Sequence, residues 1–429
     1  MKILVIGSGG REHALAWKLS QSPNVERVYV APGNAGTAQE PGITNVDIAI
    51  TDFEGLAKFC DVSAIDLTVV GPEGPLVNGI VDFFHDKGLR CFGPNQAAAQ
   101  LEGSKAFSKA FMQRHNIPTG HYKVFESLDT ALTHINEIGA PLVIKADGLA
   151  AGKGVFLAHT IAEAKLAATE ILGEQAFGEA GSQIIIEEFL FGEEVSFICM
   201  VGKGEVIAMA TSQDHKARDE GDVGPNTGGM GAYSPAPIVD ASLHQRIMRD
   251  VINPTINGLR DEGIEYCGFL YAGLMIDSDG IPQVLEYNCR FGDPETQPIM
   301  MRLDSDLLEL CNLALDGGLN QTNVRWNTKC ALGVVMAADG YPFGYATGLL
   351  IEYDQTTTQS ECKVFHAGTR LENKKIVTSG GRVLCVTALG NTVQEASQRA
   401  YRECEKIRWD NAYYRKDIGH KAITRETAK

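Results

Sequence analysis

Short hydrophobic runs alternate with amphipathic stretches along the first hundred residues. Continuous runs of Ile, Leu and Val predict strands at 2–6, 27–31, 65–70 and 90–92. Amphipathic stretches predict helices at 12–20 and 81–87. Strands that are apolar throughout and separated by helices are typical of a parallel sheet covered on both faces. The pattern therefore predicts a Rossmann-like domain at the start of the chain.

Three of these strands run directly into glycine- or proline-rich turns. The turns begin at Gly7, Gly71 and Gly93. Ligands of open α/β sheets bind at the carboxyl ends of the strands. We therefore expect this domain to hold a small molecule at that edge.

The middle of the chain predicts two further units. A helix carrying Lys105, a strand at 143–145, a glycine-rich loop, a helix near 162–172 and a strand at 183–188 indicate a small α+β unit with a mobile loop. A larger mixed sheet is expected to follow, with helices at 242–259 and 305–315. Its strands are predicted at 194–200, 205–210, 269–276 and 283–287.

After a polar stretch at about 320–328 the pattern resumes. Strands at 331–337 and 382–389 and a helix at 393–407 predict a separate C-terminal α+β domain.

Composition narrows the class of protein. The 429 residues suffice for two to four domains, and 44% hydrophobic with 21% charged residues is the balance of a globular protein. Lys and Arg number 38 and Asp and Glu number 54, so the net charge is −16. That charge argues against nucleic acid and anionic membranes as partners. A phosphorylated substrate must therefore meet a local positive pocket.

Cysteine usage and apolar runs bear on location. The ten cysteines include no C-x-x-C pair, which argues against a zinc knuckle or a thioredoxin-like site and favours a reduced, cytoplasmic protein. The opening apolar run stops at Gly7, too soon for a signal peptide. No run approaches the roughly 20 residues of a membrane span.

The first glycine cluster, Gly7-Ser8-Gly9-Gly10-Arg11-Glu12, approaches a dinucleotide-binding fingerprint. Glu12 stands where that fingerprint needs a third glycine, and no acid follows the strand at 27–31 to bind a ribose. The cluster therefore disfavours NAD. Free amides at a helix N-terminus would suit one phosphate, and a plain tight turn is the alternative.

The second glycine cluster, from Lys145 to Gly154, approaches a P-loop. It has three residues between Gly148 and Gly152, and Gly154 follows Lys153 where Walker A requires Ser or Thr. A P-loop NTPase is therefore disfavoured. The remaining interpretations are a flexible phosphate lid and an ordinary hairpin.

The strand at 284–290 carries a notable polar set. Because side chains alternate along a strand, Glu286, Asn288 and Arg290 are predicted to share one face. Oxygen donors suit Mg²⁺ and a guanidinium suits a carboxylate or phosphoryl group, so a metal-plus-anion site is favoured over a structural ion pair.

Other polar stretches leave more than one interpretation. The segments 211–216 and 224–233 have the composition of functional loops, while His215 alone is better explained as a hydrogen-bonded structural histidine. Glu187 and Glu188 end a buried strand. They could be surface charges, or could accept from an adenine amino group and ribose hydroxyls.

Together these segments resemble the ATP-grasp superfamily, and within it the phosphoribosylamine–glycine ligase family. The resemblance covers the whole chain. It rests on VIGSGGREHALAW, VAPGNAGT, VVGPEGPLVNG, CFGP, LEGSKAFSK, PLVIKADGLAAGKGV, IIIEEFLFGEEVS, ATSQDHK, GPNTGGMGAYSPAP, EYNCRFGDPETQP, KVFHAGT and GGRVLCVTALG.

The resemblance implies an α/β and α+β multidomain fold. A Rossmann-like pre-ATP-grasp domain is expected over 1–102. The ATP-grasp core is expected over 103–320, with a small mobile subdomain at about 122–190. A C-terminal α+β domain is expected over 328–429.

The implied activity is the second step of de novo purine biosynthesis. ATP, glycine and 5-phospho-β-D-ribosylamine would give glycinamide ribonucleotide, ADP and phosphate through glycyl phosphate. ATP and Mg²⁺ or Mn²⁺ are the implied cofactors, and we expect a monomer.

The resemblance also implies roles for individual residues. Glu286 and Asn288 would hold the metal, and Arg290, Lys145 and Asp214 would be catalytic. The expected nucleotide-binding residues are Lys105, Lys145, Gly148, Gly152, Lys153, Gly154, Glu187, Glu188, Leu190 and Glu194. The expected substrate-binding residues are Gly9, Gly10, Arg11, Asn34, Glu73, Asn95, Lys216 and Asp293.

Two departures and two alternatives accompany the resemblance. The strand before Glu286 offers no acid until Asp277, and the charged loop 216–222 has no assigned role beyond Lys216. The chain could be another ATP-grasp ligase, such as a biotin carboxylase or a phosphoribosylaminoimidazole carboxylase relative, although it lacks an A-M-K-M carrier segment. It could also be a nucleotide sensor without turnover, although the combined metal site and anion clamp argue against that.

Overall fold

A computed structural model describes residues 1–149, 154–173, 178–354 and 361–427. The N-terminal region is a parallel five-stranded sheet in the order β3-β2-β1-β4-β5. Its strands are β1 (Lys2–Gly7), β2 (Arg27–Pro32), β3 (Ile43–Asn45), β4 (Leu67–Val70) and β5 (Cys91–Phe92). Its helices are α1 (Gly10–Leu19), α2 (Phe53–Ser63), α3 (Glu73–Val77), α4 (Ile80–Asp86) and α5 (Gln96–Gly103). The predicted Rossmann-like sheet is confirmed, and β3, α2, α3 and α5 are additions to the prediction.

The apolar strand β1 forms the centre of this region. Ile3, Leu4, Val5 and Ile6 are fully buried, because helices cover both faces of the sheet. Burying both faces leaves only the strand ends free, so the polar turns after β1, β4 and β5 lie together at one edge.

A small four-stranded sheet follows, in the order β6-β9-β7-β8. Its strands are β6 (Tyr122–Phe125), β7 (Leu142–Ala146), β8 (Val155–Ala158) and β9 (Ile184–Glu188). The helices of this region are α6 (Lys105–Arg114), α7 (Leu128–Ile138) and α8 (Ile161–Ala168), and a π-helical turn extends α8 over Thr169–Gly173. Ser104 caps α6 by accepting from the Phe107 amide, and this places Lys105 at the first turn.

The larger antiparallel sheet has the order β11-β10-β16-β17. Its strands are β10 (Glu193–Gly202), β11 (Glu205–Ala208), β16 (Gly268–Ile276) and β17 (Pro282–Asn288). The helices are α9 (Ala241–Ile247), α10 (Asn253–Asp261), α11 (Thr296–Arg302) and α12 (Leu307–Asp316), with a π-helical turn at Met248–Ile252 joining α9 to α10. Between β11 and α9 lie β12 (Gln213–Asp214), β13 (Ala217–Asp219), β14 (Val223–Asn226) and β15 (Gly231–Ser234).

The C-terminal sheet recruits strands from the middle of the chain. Its main path is β12-β15-β18-β23-β20, so the segments around Asp214 and Tyr233 pair with C-terminal strands. The remaining strands are β18 (Cys330–Ala338), β19 (Glu352–Tyr353), β20 (Cys362–His366), β21 (Thr369–Glu372), β22 (Lys375–Thr378), β23 (Arg382–Gly390), β24 (Ile407–Arg408) and β25 (Ala412–Tyr413). The helices are α13 (Val393–Cys404) and α14 (His420–Thr427). The sequence pattern did not indicate this sharing of a sheet.

Short 3₁₀ turns complete the described elements, at Thr37–Gln39, Gly178–Gly181 and Leu319–Gln321. In the described part of the chain, none of the helices has the length and apolarity needed to cross a lipid bilayer.

Candidate active site

The end of β17 gathers the metal and anion candidates. The Nη2 of Arg290 lies 3.4 Å from the amide oxygen of Asn288, and Lys216 Nζ lies 3.7 Å from the Glu286 carboxylate. Burial opposes ionisation of Glu286, but Lys216, Lys145, Lys105 and Arg290 together lower its pKa. The residues predicted from strand alternation thus lie in one positive environment.

Lys216 lies between two carboxylates. Its ammonium is 3.1 Å from Asp214 and 3.7 Å from Glu286. Burial would lower the pKa of Lys216, but Asp214, Tyr271, Glu286 and Glu194 raise it well above its ordinary value. A lysine held in this way stays charged and can neutralise an incoming anion.

The small sheet brings lysines to the same region. Lys145, on β7, donates to Glu187 at 3.0 Å and to the Leu285 carbonyl at 3.1 Å. Lys109, which sequence reasoning missed, also contacts Glu187, at 2.8 Å. Burial lowers the pKa of Lys109 to about 8. Glu187 is buried, and these two lysines lower its pKa against the effect of burial; it is therefore not a surface charge.

Glu188, Leu190 and Glu194 follow along the chain. Glu188 is exposed and accepts from the His121 amide at 3.1 Å, while Leu190 packs beside Gly120. Burial raises the pKa of Glu194, with Lys216 opposing it. These three residues lie at the end of β9, in the turn that follows it and at the start of β10, where the chain passes from the small sheet to the large one.

The second glycine cluster is described only in part. Gly148 has φ +84° and its carbonyl accepts from Lys105 Nζ at 2.7 Å. The Gly154 carbonyl accepts from the Ala146 amide at 2.8 Å. Gly152 and Lys153 lie outside the described residues.

The first glycine cluster corrects one expectation. The Gly9 amide, predicted to be free for a phosphate, donates to Glu12 at 2.6 Å. Glu12 also accepts from Arg11 Nε at 2.6 Å, and a side chain at Gly7 or Gly71 would collide with its carboxylate. Glu12 therefore fills the turn, which explains why the third glycine of a dinucleotide fingerprint is replaced by an acid.

Arg11 connects this turn to the segment after β17. Its Nη1 lies 3.3 Å from the Phe291 carbonyl and its Nη2 lies 3.8 Å from Glu73. The Asp293 carboxylate also lies beside the glycine turn. A Cβ atom added at Gly9 or Gly10 would be within 3.6 Å of one of its oxygens. Arg382 and Arg11 lower the pKa of Asp293 against the effect of burial.

Asn34 and Asn95 have local structural partners. Asn34 is buried, accepts from the Gly36 and Thr37 amides and donates to the carbonyls of Ser8 and His366. Asn95 caps α5 by accepting from Ala98. The side-chain amide oxygens of Asn34 and Asn95 therefore already accept hydrogen bonds from the protein.

The remaining unpredicted residues come from distant parts of the sequence. Glu102 contacts Arg290 at 2.8 Å, and Glu295 accepts from Ser196 at 3.0 Å. Burial, and then repulsion from Asp214, raises the pKa of Glu295 to about 7. Arg382 donates to the carbonyls of Gly228 and Asp293. All three lie in segments that carry the family resemblance, Glu102 in LEGSKAFSK, Glu295 in EYNCRFGDPETQP and Arg382 in GGRVLCVTALG, but the segments alone did not indicate these contacts.

His215 is structural, as predicted. Its Nε2 accepts from the Gly419 amide at 3.0 Å, so Nδ1 is the nitrogen that faces Asp222, at 3.3 Å. His215, Asp222 and His420 present possible metal donors within 4.8 Å of one another. Asp222 is, however, already 2.8 Å from Arg415 and 2.9 Å from Lys421. The charged loop 216–222 is thus bound by ion pairs to the C-terminal segment that carries Arg415 and Lys421.

Comparison with known proteins identifies the family. Models described as phosphoribosylglycinamide synthetase match residues 1–102 (N domain), 103–296 (ATP-grasp domain) and 331–421 (C domain). A relative from Allochromatium vinosum named phosphoribosylamine–glycine ligase is 61% identical over 99% of this chain and 100% of its own. A Vibrio cholerae relative of the same name is 59% identical over the full length of both. The chain belongs to the phosphoribosylglycinamide synthetase family.

Solved structures agree with this family. A phosphoribosylamine–glycine ligase from Thermotoga maritima has a TM-score of 0.83 at 33% identity, covering 97% of this chain and 100% of that one. The biotin carboxylase domain of a Hydrogenobacter thermophilus 2-oxoglutarate carboxylase has a TM-score of 0.73 at 16% identity, covering 96% and 91%. The second likeness concerns the fold alone. The predicted family, the multidomain ATP-grasp fold and the ligase class are confirmed.

Proposed function

We propose that this chain ligates glycine to 5-phospho-β-D-ribosylamine, forming glycinamide ribonucleotide, ADP and phosphate in the second step of purine biosynthesis. One structural observation supports it most strongly. The segment 286–293 carries the metal and anion candidates at one end, and at the other contacts the N-terminal glycine turn through Arg11 and Asp293. A single stretch of chain would thus join the proposed phosphoryl-transfer site to the proposed ribosylamine pocket.

ATP would lie between the small and large sheets. Adenine would meet Glu187, Glu188 and Leu190, and the ribose would meet Glu194. Lys105 and Lys145 would contact the phosphates, with Gly148, Gly152, Lys153 and Gly154 closing over them. The four positive groups around Glu286 support this assignment, because phosphoryl transfer depends mainly on positioning and charge neutralisation.

The donor set at β17 fits a divalent cation. A carboxylate and an amide oxygen, from Glu286 and Asn288, are the hard ligands that Mg²⁺ prefers, and Mn²⁺ accepts them too. A metal held by Glu286 and Asn288 would supply positive charge that neutralises the transferring phosphoryl group. Asp277 accepts from the amides of Asp279 and Ile281 in a turn, so it stays outside the proposed ligand set.

The chemistry has two steps. The glycine carboxylate attacks the γ-phosphorus, ADP leaves and glycyl phosphate forms. The ribosylamine nitrogen then attacks the activated carbonyl, the carbon–oxygen bond to phosphate breaks and the nitrogen loses a proton. Arg290 would hold the transferring phosphoryl group or the glycine carboxylate, and Asp214 and Lys216 would lie on the glycine side.

The ribosylamine phosphate would lie against Gly9, Gly10 and Arg11, close to Asn34, Glu73, Asn95 and Asp293. The Gly9 amide is committed to Glu12, so positive charge in this turn comes from the Arg11 guanidinium, which also pairs with Glu12. We further infer a cytoplasmic location, which the ten free thiols support. We also infer a monomer, because the sequence carries no obvious heptad or repeated apolar face.

A substrate-dependence assay tests the proposal. ADP release is measured with ATP and Mg²⁺, adding glycine and freshly made phosphoribosylamine separately and together, with bicarbonate as control. Release that needs both substrates and yields glycinamide ribonucleotide supports the ligase. Bicarbonate-driven release would indicate a carboxylase, and ATP binding without any release would indicate a sensor.

A further inference from the structure

Glu102 is a buried carboxylate at the end of α5, and it makes two contacts with the segment 286–293. One oxygen lies 2.8 Å from Arg290 Nη2, and the other accepts from the Cys289 amide at 2.7 Å. Glu102 thereby fixes both the main chain and the side chain at the point where β17 ends. A buried carboxylate is costly unless it is paired in this way.

Arg290 is held on several sides. Its Nη1 donates to the Phe291 carbonyl at 3.1 Å, and its Nε lies 3.3 Å from Glu73. The same Glu73 oxygen lies 3.8 Å from Arg11. A guanidinium is planar with donors in fixed directions, so two carboxylates set the orientation of its plane.

The two carboxylates differ in exposure. The Glu102 side chain is 6% exposed and the Glu73 side chain is 30% exposed. Glu73 is therefore accessible to a ligand in the ribosylamine pocket, whereas Glu102 is shielded and touches only protein. Glu102 must act through the residue that it holds.

We propose that Glu102 is a positioning residue that orients Arg290 for phosphoryl transfer. This inference rests on the proposed function, in which Arg290 holds the phosphoryl group or the glycine carboxylate. Arg11 keeps Glu12 and Glu73 when Glu102 changes, so the ribosylamine pocket retains its main cation. Lys145 and Glu187 are held by other partners, so the nucleotide side is unaffected.

The test is a double-mutant cycle in the full chain, with Glu102→Gln, Arg290→Lys and both together. We expect Glu102→Gln to lower kcat about tenfold or more while the KM for ATP changes less than about twofold. In the Arg290→Lys background, Glu102→Gln should lower kcat by less than about a further twofold. The reason is that Lys lacks the planar guanidinium that Glu102 orients. A purely structural role would give the same loss in both backgrounds.

Two further variants make the outcome decisive. Glu403→Gln changes an equally buried, ion-paired glutamate in the C-terminal region and should keep the wild-type kcat. Glu102→Asp keeps a carboxyl group, so its kcat should fall less than that of Glu102→Gln. It takes the place of Glu102→Gln in the cycle if that variant does not fold.

The possible results separate the two claims. Two results would overturn the positioning role while leaving the ligase activity established by the wild-type chain. In one, Glu102→Gln has the wild-type kcat. In the other, Glu102→Gln lowers kcat by the same factor in the wild-type and Arg290→Lys backgrounds. A wild-type chain that forms no product overturns the proposed function, and this inference with it.

Discussion

Glu286 is the residue whose change should separate chemistry from binding most clearly. Its pKa is lowered by four surrounding cations, so it is ionised and able to hold a metal at neutral pH. We predict that Glu286→Gln lowers kcat by about 10²-fold or more, with a smaller change in the KM for ATP. Initial rates at several Mg²⁺ concentrations test this. An unchanged kcat at saturating Mg²⁺ would remove Glu286 from the metal site.

Arg11 should affect the other substrate. The Gly9 amide is bound to Glu12, and the Arg11 guanidinium is the cationic side chain of that turn. We predict that Arg11→Ala raises the KM for phosphoribosylamine about tenfold or more and leaves the Kd for ATP unchanged. Steady-state kinetics with each substrate varied in turn would show it. A weaker Kd for ATP with an unchanged amine KM would place the nucleotide in the N-terminal domain instead.

At the scale of elements, a partly buried ionic contact joins the N-terminal and C-terminal regions. Glu40 accepts from His13 and pairs with Lys363 of β20. Burial would raise the pKa of Glu40, but His13 and Lys363 lower it to about 2. An acid with a depressed pKa stabilises the fold above its ordinary pKa near 4.5, and that stabilisation is lost as the pH falls from 4.5 towards 2.

We therefore predict that Glu40→Gln lowers the free energy of unfolding by about 2 kcal/mol at pH 7, and by less at pH 3.5. Urea unfolding at both pH values measures the difference. Glu372→Gln removes an exposed pair with Arg370 and should cost less than about 0.5 kcal/mol at either pH. Equal costs for Glu40→Gln at the two pH values would show that the depressed pKa does not contribute.

The elements also show what local patterns can predict. Strand periodicity placed Glu286, Asn288 and Arg290 together, because alternation is a property of one segment. Their partners arise from tertiary contact, since Glu102 is 187 residues before the Cys289 amide that it binds. The hydrogen bond from the Gly9 amide to Glu12 spans only three residues, but the sequence of the turn did not predict it. The pairing of β12 and β15 with C-terminal strands likewise depends on the assembled sheet.

At the scale of the whole molecule, the candidate site is enclosed by three parts of the chain, and Arg382 joins them. This partly buried arginine of β23 donates to the carbonyls of Gly228 and Asp293, and its Nη2 lies 3.5 Å from the Asp293 carboxylate. Asp293 in turn borders the glycine turn at Gly9. The C-terminal sheet therefore helps to fix the wall between the two proposed substrate pockets.

Removing the Arg382 side chain should destabilise the contact between the C-terminal sheet and Asp293, with a smaller effect on ATP binding. Arg382→Ala leaves the Gly228 and Asp293 carbonyls without this donor, while the Asp293 carboxylate still accepts from Gln297, so it should cost about 1–3 kcal/mol of folding free energy. It should also raise the KM for phosphoribosylamine more than the Kd for ATP, because Lys145 and Glu187 keep their partners. Urea unfolding and equilibrium ATP binding measure the two effects, with the more exposed Arg370→Ala as the control. If both substrates lost affinity equally, Arg382 would support the whole site and not this wall.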